Sequence, residues 1–470
     1  MSFAEHRLRV AIAATATVAA AVGCLGLSAR MLFTEPSPLK YLLTVAVPTA
    51  AVAVAASADP LRVLLGAVIL VAPFAFVSTF AGVAITPLLP LLLVAGLLVV
   101  FERRRVGRAN GLQTVLPFVL ALLAFAIAEA SSPGHYLILI ATAVLTGTVA
   151  ARVVARPGGA AIVATFLVAS ATVQAVLAIW EFRSGHQLDL YRASATSSFG
   201  SDYFFNFGTA YRPAAALPDP ISLGHVLAIS LPLAGALAVS CQTLARRLAF
   251  ICAGGLIALA LALTFSRMSW IGASLGILVT LWALPARRRT MALAGTAAVV
   301  AIVAAVALAY GGASLRTRFA SVANPTARTV ATAEGDRERL ALWQAALTVA
   351  GGHPVFGVGF GEIRPALAAH ASGVKPGTTA HSTYLQVLAE TGVVGALALV
   401  LLLVGTARDL VRGFLRQRLL AAGLVGSFAA LLACWTTDYT VRYPQVAALV
   451  AVLFGIAAGL ARSTDQGVAA

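Results

Sequence analysis

Residues 335–392 read GDRERLALWQAALTVAGGHPVFGVGFGEIRPALAAHASGVKPGTTAHSTYLQVLAETG, and the rest of the chain is arranged around them. Asp336 to Ala350 predicts a helix with Asp336 as N-cap, a face of Leu340, Trp343 and Leu347, and a stop at Gly351-Gly352. It is too short and too charged to cross a bilayer. Arg339 and Trp343 stand four apart on one face, which predicts a helix at the membrane interface with its cations turned towards something anionic. The turn Gly357-Val-Gly359-Phe-Gly361 lacks the G-x-G-x-x-G spacing and follows no strand, so it reads as a tight backbone bend and not a nucleotide loop. Thr383-Tyr-Leu-Gln386 matches a capping box and opens a helix that runs on into a membrane span. His381 lies just before that helix start, whose partial positive charge disfavours imidazolium and attracts anions. That placement suits a neutral base beside a negatively charged substrate.

Composition sets the class. Of 470 residues, 60% are hydrophobic and 11% charged, with mean hydropathy +0.93, whereas a soluble domain carries about 25% charged residues. The chain reads as an all-α polytopic membrane protein. A net charge of +16 would suggest nucleic acid in a soluble chain, but here it must be sorted by side of the membrane, and no nucleic-acid partner is expected. Cys24, Cys241, Cys252 and Cys434 fall in or at the ends of apolar runs, with no disulfide framework or metal spacing. The N-terminus has cations and then an apolar run without a cleavage site, so it is read as the first span.

Apolar runs of spanning length occur at 8–28, 41–57, 61–80, 85–101, 112–130, 136–154, 159–180, 220–240, 247–265, 268–284, 291–310, 384–406, 417–436 and 443–461, which predicts about fourteen spans. With both termini in the cytoplasm, the inside loops hold the arginine clusters at 103–105, 246–247, 287–289 and 408–418, while the short outside loops are nearly free of cations. Alternate loops thus follow the positive-inside rule. Three regions follow: a membrane domain over 1–310 with eleven spans and an outer loop at 181–219, a large outer loop over 311–383 containing short helices, and a membrane domain over 384–470 with three spans. Outer cations collect in the two long loops, Glu181–Asp219 and Gly311–His381, and at Arg267 in a tight turn between spans. Long loops in a compact protein are more often functional than decorative. The first carries Arg183, His186, Arg192 and Arg212 with Tyr191, Tyr203, Phe204, Phe205 and Tyr211, aromatics suited to stacking on sugar rings.

The succession Arg339, Trp343, Pro354 and the glycine turn, Ala380-His381-Ser382 and Glu390-Thr391-Gly392 resembles the signature loop of the O-antigen ligase and O-antigen polymerase superfamily. Two further segments are similar in the same order: Tyr211-Arg212 through Pro218-Asp-Pro220 to Leu231-Pro232-Leu233, and Thr264-Phe-Ser266-Arg267. One departure is Ser382, where such proteins usually have Asn. The resemblance implies a GT-C-like bacterial inner-membrane glycosyltransferase with an extracytoplasmic active site. Its implied donor is a polyprenyl-diphosphate-linked glycan, its acceptor a lipid or a glycan, and its surroundings membrane lipids. Implied catalytic residues are His381 as base with Arg212 and Arg267 on the diphosphate, for which a guanidinium fork is suited. Substrate-binding residues are Arg339, Arg192, Tyr211, Trp343, Tyr384 and Glu390.

Plainer readings stand beside these. Arg183, Arg192, Arg316 and Arg318 at span ends read as snorkelling anchors, and Tyr384 and Trp343 as interface or core aromatics. Glu390 either orients a neighbouring Arg or His or caps an internal hydrogen bond. The first outer loop, Ser28–Lys40, has only Glu35 as an acid and no paired carboxylates, and no outer segment has a His/Asp/Glu cluster with metal spacing, so metal-independent inverting transfer without a cofactor is expected, arginines taking the metal's part. Ligase and polymerase both remain open, with ligase favoured. The competing class is a flippase or other transporter, which would place ionisable residues at mid-membrane and keep its loops short.

Overall fold

The structure, a computed structural model, describes residues 59–74, 78–80, 83–85, 133–186, 206–207, 210–323, 330–370 and 378–463. Helices α1 (Pro60–Val71), α2 (Pro133–Val154), α3 (Gly159–Ser184), α4 (Pro220–Ser240), α5 (Leu244–Leu263), α6 (Arg267–Ala283), α7 (Ala286–Ala323), α8 (Val330–Gly352), α9 (Ile363–His370), α10 (Thr383–Arg416), α11 (Arg418–Trp435) and α12 (Pro444–Leu460) account for nearly all of it. Two hairpins interrupt them, β1 (Ser78–Phe80) with β2 (Val83–Ile85) and β3 (Asn206–Phe207) with β4 (Ala210–Tyr211).

Among the described residues six helices, α3, α4, α5, α10, α11 and the Ala286–Ala307 part of α7, are long and apolar enough to cross a membrane. Four shorter apolar helices lie at Leu61–Phe74, Leu139–Val154, Arg267–Ala283 and Pro444–Leu460. The runs at 8–28, 41–57, 85–101 and 112–130 lie outside the described residues, as do Cys24 and Arg192. The run at 61–80 is not one span: α1 ends at Val71, a 3-10 turn covers Ala72–Phe74, and β1 follows. Pro73, which cannot donate to the helix ladder, accounts for the stop.

Two other expectations are corrected. The helix expected from Asp336 starts at Val330, because Ala-Thr-Ala-Glu ahead of it prolongs the helix and Gly335 does not break it. Its buried stripe is Leu342, Ala345, Ala346 and Val349, while Leu340 and Leu347 are exposed. Alanines win that face because they let α8 lie close against Ile363, Leu367, Ala380 and Ala389. The Gly351-Gly352 stop is where expected.

The core is a bundle in which α4 packs on α3, α5, α6 and α11, while α12 packs on α2 and α10. Apolar side chains gain little from one another in lipid, so small residues carry the closest contacts. A Cβ on Gly276 would stand 2.6 Å from the Gly426 carbonyl, and one on Gly455 2.6 Å from that of Gly147.

Candidate active site

The site is gathered at the end of the bundle where α5 gives way to α6 and α11 to α12. Its first wall comes from α3 and the segment leading to α4. Glu181 is not loop, as the sequence suggested, but a buried residue of α3. Its Oε2 accepts the backbone N–H of Ala214 (2.9 Å) and Ala215 (2.8 Å), and Gln174 Oε1 accepts that of Ala216 (3.0 Å). Non-helical backbone buried in a membrane protein needs such partners. They hold the stretch after Arg212, in which Ala215 takes φ 53°. Asp219 then caps α4 through Oδ1, accepting from Ile221 N and Ser222 N, with Pro220 at N1.

The second wall is the turn Thr264–Arg267. A helix C-terminus leaves carbonyls unsatisfied and carries partial negative charge, so it attracts guanidinium groups. At the end of α5, Arg212 Nε donates to Thr264 O and Arg318 Nε to Phe265 O, each at 3.0 Å. Phe265 is fully buried with φ 57°. Arg267 is the first residue of α6, so three arginines from three parts of the sequence meet at one turn. Gly224 of α4 ties this turn to the third wall: a Cβ there would lie 2.5 Å from Ser269 Oγ, and its neighbour His225 places Nδ1 2.8 Å from Thr440 Oγ1.

The third wall is the loop between α11 and α12, where Asp438 is buried. His381 Nδ1 lies 3.1 Å from Asp438 Oδ1. A carboxylate only accepts, so Nδ1 carries the proton and Nε2 is the basic nitrogen. Burial pushes the Asp438 carboxyl up, but the hydrogen bond from His381 and the charge of Arg339 outweigh it, holding the group below the usual carboxylate value. Thr383 Oγ1 donates to Asp438 O at 2.8 Å, and Trp343 Nε1 to His381 O at 3.4 Å. Arg339 and Trp343 therefore do share a face, turned to His381 and Asp438. His381 has φ 46°, an uncommon conformation for a non-glycine residue outside a turn or a functional site.

The capping box is corrected by one residue. Ser382 is the N-cap of α10 and accepts from Leu385 N, while Gln386 Oε1 accepts from Ala380 N at 2.9 Å. Ser and Asn are equally good N-caps, so Ser382 does here what Asn would do.

Below the cap, α10 breaks at Gly392 (φ 62°, ψ −160°). The helical bonds lost there would run from Val393 and Val394 back to Ala389 and Glu390. The glycine turn takes up all four groups: Val358 N and Gly359 N donate to Ala389 O and Glu390 O, while Val393 N and Val394 N donate to Pro354 O and Val355 O, at 2.9–3.2 Å. The backbones touch, so a Cβ on Gly392 would lie 2.3 Å from Val355 O and one on Gly357 2.3 Å from the Glu390 carbonyl carbon. The turn is thus a backbone bend, as its spacing suggested. Glu390 Oε1 accepts from Gly361 N (3.0 Å) and Gln386 Nε2 (2.7 Å). Tyr384 donates to Leu432 O at 3.0 Å and meets Trp435 edge-on.

The structure therefore brings Arg212, Arg267 and Arg318 to one turn and His381, Asp438, Arg339 and Trp343 together beside it, with α4 between them. Tyr211 lies in β4 next to Arg212. Glu390 and Tyr384 are tied into the packing beneath. Arg192, Tyr191, Tyr203, Phe204 and Phe205 lie outside the described residues. Sequence reading missed Asp438 and took Arg318 for an anchor. The available signal was that Asp438 is the acid in the last outer loop, on the side already assigned to His381.

Fold and site define a helical membrane protein with a histidine, a carboxylate and arginines clustered at one end of its bundle. Residues 252–400 match the family model described as O-antigen ligase, so this part of the chain is similar to that family. It spans Arg267, Arg318, Arg339 and His381, while Arg212 and Asp438 lie outside it. No curated protein matches the chain.

Proposed function

We propose that the protein is an inverting, metal-independent glycosyltransferase. It moves a glycan from a polyprenyl-diphosphate carrier to an acceptor hydroxyl at the outer face of the bacterial cytoplasmic membrane. The observation that carries this reading is the His381–Asp438 pair beside the arginine-lined turn. His381 Nε2 takes the proton of the acceptor hydroxyl as its oxygen forms the bond to the anomeric carbon. The anomeric bond to the diphosphate breaks, and Arg212 and Arg267, with Arg339, hold the departing charge. Asp438 keeps the imidazole in the productive tautomer and stabilises the imidazolium that forms. We favour a ligase over a polymerase.

Purified protein in lipid, given a radiolabelled polyprenyl-diphosphate glycan and candidate acceptors, tests the reaction. Label joined to acceptor is expected, in the presence of a chelator as well. Movement of donor across the bilayer without bond formation would point to a flippase. His381→Ala should lower turnover about 10²–10⁴-fold with donor binding retained. Arg212→Ala or Arg267→Ala should weaken donor binding as well, and lysine should rescue poorly because it lacks the bidentate fork.

A further inference from the structure

At the opposite end of the bundle, α4, α5, α6 and α7 enclose an apolar slot of about 200 Å³. It lies among Leu231, Phe250, Ile277, Leu281, Met291 and Val299, with Arg247 and Arg288 at its mouth. Counting along α5, Arg247 is about 25 Å from Thr264 at 1.5 Å per residue, so the mouth is remote from His381. Only 6% of the apolar window in the Ala286–Ala307 part of α7 is buried, so this helix, which forms one wall of the slot, turns most of its surface away from the bundle.

Two features say what fits it. The charge at the mouth is positive. Arg246, Arg247, Arg287, Arg288 and Arg289 cluster there, the sequence has no acidic residue between Asp219 and Glu334, and none of the five makes a salt bridge among the described residues. Arg247 and Arg288 are held in place by the carbonyls of Cys241 and Val239 at the end of α4, yet Arg247 Nε is buried with no acceptor. The slot is also kept vacant by glycine. Gly235 and Gly295 both line it, and a Cβ on either would meet no atom within 4 Å.

We propose that this slot binds one anionic phospholipid, an acyl chain lying between α5 and α7 and the phosphate at Arg247 and Arg288. Basic pockets between membrane helices recognise anionic headgroups in this way, and the neighbouring arginines add to the attraction near a charged surface.

Native mass spectrometry of the full chain, released from bilayers containing phosphatidylglycerol and phosphatidylcholine in equal amounts, tests this. The wild type should retain one phosphatidylglycerol through detergent exchange, at least tenfold over phosphatidylcholine. Gly295→Leu or Gly235→Leu, which fills the slot, and Arg247→Ala with Arg288→Ala, which removes the headgroup contacts, should each lower retention at least tenfold. Equal retention of the two lipids, or variants that hold phosphatidylglycerol as the wild type does, would overturn the proposal. So would one-for-one displacement by polyprenyl diphosphate, which would make the slot a path for a donor's tail. Bound lipid is the readout, so the result stands apart from whether transfer is observed.

Discussion

Asp438, beside α10, and Glu390, within it, are both buried acids, and their partners set them apart. Glu390 sits inside the helix, its hydrogen bonds come from a backbone amide and a glutamine, and its Oε2 is buried with no partner among the described residues. Asp438 sits in a loop against His381 and within the field of Arg339. Burial alone is a poor guide to which acid takes part in chemistry. A carboxylate facing an ionisable ring can direct its protons, whereas one facing neutral donors fastens backbone.

The largest expected effect separates them by activity. Asp438→Asn keeps the shape but presents a donor to Nδ1 or forces the other tautomer, so turnover should fall about 10²–10⁴-fold with donor binding little changed. A near-normal rate in a folded Asp438→Asn protein would dissolve the distinction. A second effect concerns pH. Because the folded Asp438 is depressed below its unfolded value of about 3.9, its stabilising contribution is present above that value and is lost as pH falls through the folded one. Thermal unfolding of the wild type should therefore weaken more than that of Asp438→Asn as pH drops below about 4. Parallel curves would show that Asp438 is not held charged by its partners. The smallest effect is at the other acid. Glu390→Gln still accepts from Gly361 N and Gln386, so turnover should stay within about threefold and stability within about 1 kcal/mol. A loss as large as that of Asp438→Asn would move Glu390 into the chemistry.

The sequence was informative where chemistry is local. Arg339 and Trp343 share a helical face, His381 abuts a helix start, Arg267 stands at a turn between apolar runs, and the glycine spacing excludes a nucleotide loop. It was silent where partners meet only through folding. Asp438 lies 57 residues beyond His381, and Arg318 reaches a carbonyl 53 residues away. Nothing in either local pattern announces the pairing. The misjudged face of α8 has a similar origin. Leucine periodicity points to Leu340 and Leu347, but the neighbour's demand for close approach selects the alanine side.

The interruption of α10 at Gly392 also sets a depth. From Val393 to Ala407, ahead of the arginine cluster at 408–418, the helix is roughly 22 Å long at 1.5 Å per residue, short of the hydrocarbon thickness of about 30 Å. The two and a half turns before the break, from Thr383 to Thr391, make up the rest of the crossing. His381 at its head can stay at the level of the headgroups, and a hydrated sugar can reach it without giving up its water to oil.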